Sequence, residues 1–232
     1  MGYRHGIRVK EFELNFDRRM KMENPCRYYT PQEVFEIEKE AHRLCSPLDE
    51  DADQSIIFCK ETPLYEWRHA RNFLEWDELC LVQNRFYGIN ASREDWLKAI
   101  MPEFGRVLWD YCVFVARHAK KEIIQPVTIC GKECKNAAVF FSIKNNMQKV
   151  GLDISDLRPS TNISTFLTHK DFSKFIIVLL KTGKRVFDVF EEDRKEGLSL
   201  WQRINVFDPN RYYINTGHIK TFKDLSRKIT GD

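Results

Sequence analysis

The chain has 232 residues, with 37 basic and 34 acidic side chains for a net charge of +3, and is rich in aromatic residues: 17 Phe, 8 Tyr and 5 Trp. That length holds one large domain or two small ones around a sizeable core, and the near balance of charge argues against a dedicated nucleic-acid binder, which shows a basic excess or stripe. The seven cysteines are odd in number and sit in apolar or helical patterns. They suit free thiols in a reducing compartment rather than a disulfide framework. With no apolar signal-like run at the start and no apolar stretch of membrane length, the expectation is a cytoplasmic protein with no membrane partner.

Residues 1–29 are basic and aromatic, and Phe12, Leu14 and Phe16 alternate as on one face of a short strand or arm. Thr30-Pro31-Gln32-Glu33 is a helix start with cap, N1 proline and capping box, and Val34, Ile37, Ala41 and Leu44 follow at helical spacing up to Ser46-Pro47. An acidic loop, Asp49 to Asp53, leads to Thr62-Pro63. That pair predicts a second helix with Leu64, Trp67, Ala70, Phe73 and Leu74 on one side. Residues 76–91 are apolar but irregular and fit neither period. Ser92-Arg93-Glu94-Asp95 opens the longest stripe, Trp96 through Ile100, Phe104, Leu108 and Tyr111 to Val115, with a kink or break expected near Ile100-Met101 because Pro102 falls inside it. The basic run from Arg117 to Lys121 suits its C-terminus.

Pro126 and the β-branched run Val127-Thr128-Ile129 mark the expected boundary between residues 1–125 and residues 126–232. Lys132 to Val150 reads as a helix, with Ala137, Phe140, Ile143, Met147 and Val150 inward and Gly151 as terminator. After a long connection, Thr168-His169-Lys170-Asp171 reads as a capping box for a helix carrying Phe172, Phe175, Ile176, Leu179 and Leu180. A short helix is expected around Val186, Phe187 and Phe190, and Thr221-Phe222-Lys223-Asp224 opens the last helix, with Leu225 and Ile229 inward. The expected fold is mainly α: a helical N-terminal domain with a long kinked helix, and a small helical C-terminal domain.

No chemical motif stands complete. Cys130 and Cys134, four apart and read as one helical turn, lack the second ligand pair of a structural zinc site and the spacing of a redox pair. Asp49, Asp51 and Asp53 begin like a calcium loop, but Gln54 stands where glycine is needed and Lys60 where a bidentate Glu is needed. His118, His169 and His218 lack the context of a nucleophile–base pair, and the common phosphate-binding glycine loops are missing. The reading therefore assigns no catalytic residue, no cofactor and no metal. It assigns a candidate partner-binding surface instead, made of Arg158, His169, Lys170, Lys174, Lys181, Lys184 and Arg185, suited to an acidic protein partner.

The segment Ile154-Ser155-Asp156-Leu157-Arg158-Pro159-Ser160-Thr161-Asn162-Ile163 lies between two patterned helices, and the last helix starts Thr221-Phe222-Lys223-Asp224-Leu225. This order resembles the acyl-carrier-protein fold over about residues 132–230. The resemblance implies a helical scaffold and a role in partner binding. The family's attachment serine, within an Asp-Ser-Leu triplet, aligns with His169 between Thr168 and Lys170, so it does not carry over a phosphopantetheine arm. The leading expectation is a non-enzymatic interaction or regulatory protein. The alternatives are a carrier module with its attachment serine elsewhere, and a nucleic-acid binder using the C-terminal basic helix face.

Overall fold

Thr30, Ser92 and Thr221 each close a reciprocal cap: the hydroxyl accepts from the backbone N–H three residues on, and the carboxylate there (Glu33, Asp95 and Asp224) accepts from the cap residue's own N–H. Such a cap satisfies donors that a helix start leaves without a partner. The computed structural model describes residues 26–49, 51–71, 75–167, 171–182, 185–187, 191–194 and 212–231. The expected strand near Val9 to Phe16 lies outside them, as do Phe73 and Leu74.

Among the described residues the chain is mainly helical: α1 (Pro31–Cys45), α2 (Leu64–Ala70), α3 (Trp76–Tyr87), α4 (Arg93–Ile100), α5 (Leu108–His118), α6 (Lys135–Lys149), α7 (Phe172–Lys181) and α8 (Phe222–Thr230). The strands form three short antiparallel pairs. β1 (Cys26–Tyr28) pairs with β2 (Lys120–Glu122), β3 (Val127–Ile129) with β4 (Lys132–Cys134), and β5 (Glu191–Arg194) with β6 (Tyr212–Asn215).

Several expectations are corrected. The long kinked helix is two helices, α4 and α5, because the chain leaves helical geometry at Met101 and turns through Pro102 and Gly105. Pro102 has no N–H to continue the ladder, and beyond it Leu108 N–H bonds the Thr62 carbonyl at 2.8 Å, tying α5 to the entry of α2. The stripe survives the break at Trp96, Ile100, Leu108, Tyr111, Cys112 and Val115, all buried, whereas Phe104 is 76% exposed against Tyr65. Residues 76–87, which fit no period, are α3: Trp76, Leu79, Cys80, Gln83 and Tyr87 form its buried side, and the polar Gln83 obscured the pattern. Thr62 caps the turn before it, accepting from Cys59 N–H at 2.8 Å, and does not cap α2.

In the second half, α6 starts at Lys135, because Lys132 to Cys134 pair with Val127 to Ile129 in a hairpin. Cys130 and Gly131 are its two-residue turn, with φ of +50° and +78°, the left-handed pair that matches strand twist. The cysteines are thus not on a helical turn. Helix α7 begins after Asp171 rather than after Thr168, and Asp171 makes no side-chain cap there. Val186 and Phe187 are buried but not helical, Phe190 lies outside the described residues, and residues 191–194 form a strand with 212–215.

The connection before α7 has a structural task. The Phe222 and Lys223 N–H groups, at the start of α8, bond the carbonyls of Thr161 at 3.2 Å and Pro159 at 2.7 Å, and Ile163 N–H bonds the Lys220 carbonyl at 2.9 Å. The loop supplies acceptors that the helix itself lacks. Phe222 then meets Phe166, Phe175 and Phe140 edge-on, with ring centres 5.6, 5.8 and 6.4 Å away. In the first half, Trp67, Trp96 and Tyr111 are essentially fully buried. The buried apolar side chains form one cluster from Tyr29 to Ile229, running across the boundary expected near residue 126.

Candidate docking groove

Helix α1 is amphipathic. Val34, Ala41 and Leu44 go into the core, and the other side borders a groove of about 650 Å³. The groove's apolar surface comes from Ile37 on α1, from Ile56, Ile57 and Phe58 in the loop before α2, and from Leu180 on α7. Tyr29 and Lys121 close one end, beside β1 and β2, and Arg185 lines it after α7. Ile57 is 89% exposed, the largest exposure among the apolar side chains of the described residues.

The charges along the groove are mostly paired. Glu33 accepts from Arg27 Nη2 at 2.5 Å and Nη1 at 3.0 Å and from Lys121 Nζ at 3.2 Å. Burial works to raise its carboxyl, but the bonds from Arg27, the Thr30 amide and Lys121 overcome this and hold it at about 2. Lys39 stands 3.9 Å from Glu36. Arg43 holds Glu40 through two bonds of 2.8 and 2.6 Å and donates to the Phe187 carbonyl at 2.5 Å, pinning α1 to the segment after α7. Arg185 is exposed and has no carboxylate partner among the described residues.

Two buried groups hold the groove's base. His42 Nδ1 lies 2.7 Å from Ser46 Oγ, and its ring sits 4.4 Å from the Phe58 ring, so α1 carries the apolar loop directly. Burial and the nearby Arg71 push the imidazole below its ordinary range. Behind it, Glu38 is 3% exposed. Its Oε1 accepts from Tyr87 and Tyr111 hydroxyls at 2.9 and 3.1 Å, and Arg71 Nη1 donates to its Oε2 at 3.4 Å. Burial raises the Glu38 carboxyl, opposed by Arg71 and the two tyrosines. This set joins α1, α3 and α5 to the end of α2. It is closed off from solvent, which suits anchoring rather than chemistry on a substrate.

The expected site residues are spread out. Arg185 lines the groove. Lys181 reaches over the Phe86 ring of α3 at 5.7 Å, Lys174 Nζ lies 3.5 Å from the Gly151 carbonyl, and Arg158 is exposed on the loop that serves α8. His169, Lys170 and Lys184 fall outside the described residues. Asp49 and Asp53 act as turn formers, their carboxylates accepting from Asp51 and Ser55 N–H groups. Among the described residues no group of three or more His, Cys, Asp or Glu could hold a metal ion, and no helix is long and apolar enough to cross a membrane. Sequence reasoning missed the groove; the one local signal for it is the apolar run Ile56-Ile57-Phe58. The chain matches no protein-family model, no curated protein and no solved structure.

Proposed function

We propose that the chain is a non-enzymatic interaction protein that docks a polypeptide in the groove along α1. Ile57 carries this reading: a large apolar side chain, 89% exposed, stands beside Phe58 on a wall whose base is fixed by buried contacts to α1. Covering such a side chain contributes about 1.5–3 kcal/mol, and a wall held in place loses little ordering entropy on binding. The order α6, loop, α7 and α8 supports a carrier-like scaffold as the second part of the molecule, with His169 at the aligned serine position. Lys174 and Lys181 meet separate neighbours, which supports a protein partner over a nucleic acid.

The test is panning of a random-peptide display library on the full chain, with counter-selection on Ile57→Asp. Peptides that hold the wild type and lose at least about tenfold on the variant are expected; such a loss matches removal of one well-buried anchor. Enrichment only of peptides indifferent to Ile57→Asp sinks the proposal.

A further inference from the structure

We infer that the groove's occupant is an acidic peptide segment, with a carboxylate seated on Arg185 next to an apolar side chain on the Ile57–Phe58 wall. This rests on the docking reading above and names the partner's chemistry. Every carboxylate that lines the groove already has a cation within 4 Å. Glu33 takes Arg27 and Lys121 together, Glu36 takes Lys39, and Glu40 takes Arg43. Asp53, at the margin near His42, is engaged by the N–H and hydroxyl of Ser55. What the groove has left to offer a ligand is donors.

Arg185 is the lining cation without a carboxylate among the described residues, and it is exposed. Its planar guanidinium suits bidentate recognition of a carboxylate. Beside β1 and β2, Glu33 is shared by two cations, leaving one positive charge in excess there. A basic peptide would meet acceptors that are already occupied and would place its charge against these cations. An acidic one meets complementary charge at Arg185 and beside Glu33, and apolar surface on the Ile57–Phe58 wall. Such complementarity selects partners and speeds association.

The experiment uses the full chain and two peptide pools that share randomised aliphatic centres, one flanked by glutamates and the other by lysines, with retention read at low and high salt. The glutamate pool is expected to be retained about tenfold better at low salt. That preference should fall at high salt, because screening weakens exposed charge pairs, and should be lost in Arg185→Glu while Ile57-dependent retention of neutral peptides remains. Equal or better retention of the lysine pool overturns the acidic assignment and leaves the docking reading standing. Failure of either pool and of neutral peptides to bind overturns both. Self-association of the chain alone that Arg185→Glu abolishes puts a second copy in the groove and overturns the assignment in that way.

Discussion

Glu38 shows how one polar residue can hold a helical assembly in register. Its carboxylate has two tyrosine hydroxyls and a guanidinium around it, so removing it takes that acceptor from two buried hydroxyls and the paired charge from Arg71. Glu38→Ala is expected to cost about 3–5 kcal/mol, the cost of breaking a buried ion pair, and Tyr87→Phe roughly 1.5–3 kcal/mol for one bond to a charged group; urea unfolding measures both. A loss below about 1 kcal/mol for Glu38→Ala contradicts the anchoring role. Glu33 gives a pH signature. Its folded carboxyl is held at about 2, below its ordinary value, so its contribution is present above about pH 4.5 and is lost as pH falls toward 2. Glu33→Gln should flatten the fall in urea midpoint across that window, and an unchanged slope sinks the assignment. His42 works the same way in a higher window: its lowered pKa means its contribution is present above about pH 6.5 and declines as pH drops below that.

At the scale of elements, what could be read was what local chemistry writes. The capping boxes at Thr30, Ser92 and Thr221 are short-range patterns, and they stand where the residues place them. Ser92→Ala or Thr221→Ala should each cost about 1 kcal/mol, checked by thermal unfolding. The hairpin at Cys130-Gly131 is a local pattern that spacing of cysteines concealed. Cys130 holds φ of +50°, a conformation that asparagine tolerates better. Cys130→Asn should therefore raise the melting temperature, and Gly131→Val should lower it. The reverse order contradicts the turn. Elsewhere the signal was not local. Helix α3 escaped periodic reading because its buried side includes Gln83 and Tyr87. β5 and β6 lie about twenty residues apart, and nothing in either strand names the other. Helix α7 starts at Phe172, and Thr168, His169 and Lys170 of the expected capping box lie outside the described residues.

For the whole molecule, the apolar side chains from both halves join in one cluster, with α1 against both α5 and α7. Unfolding followed by fluorescence and by circular dichroism should therefore give coincident single transitions, whereas two separated transitions would contradict a shared core. The mainly helical class was legible because stripes such as Trp96 to Val115 and Phe172 to Leu180 are long and regular. The groove was not, since it needs α1, the 56–58 loop, Leu180 and Arg185 brought together from three distant stretches of chain. Of the basic residues first picked out in the C-terminal half, Arg185 reaches it through the fold rather than through its helix face. The central claim is that the Ile57 wall of this groove binds a polypeptide, and equilibrium fluorescence anisotropy of a groove-selected peptide tests it most directly. Phe104→Asp, at an apolar site outside the groove that is 76% exposed, serves as the control. The account predicts that affinity falls at least about tenfold, or ~1.4 kcal/mol, in Ile57→Asp and stays within about twofold in Phe104→Asp; equal losses in the two variants, or none in either, would contradict it.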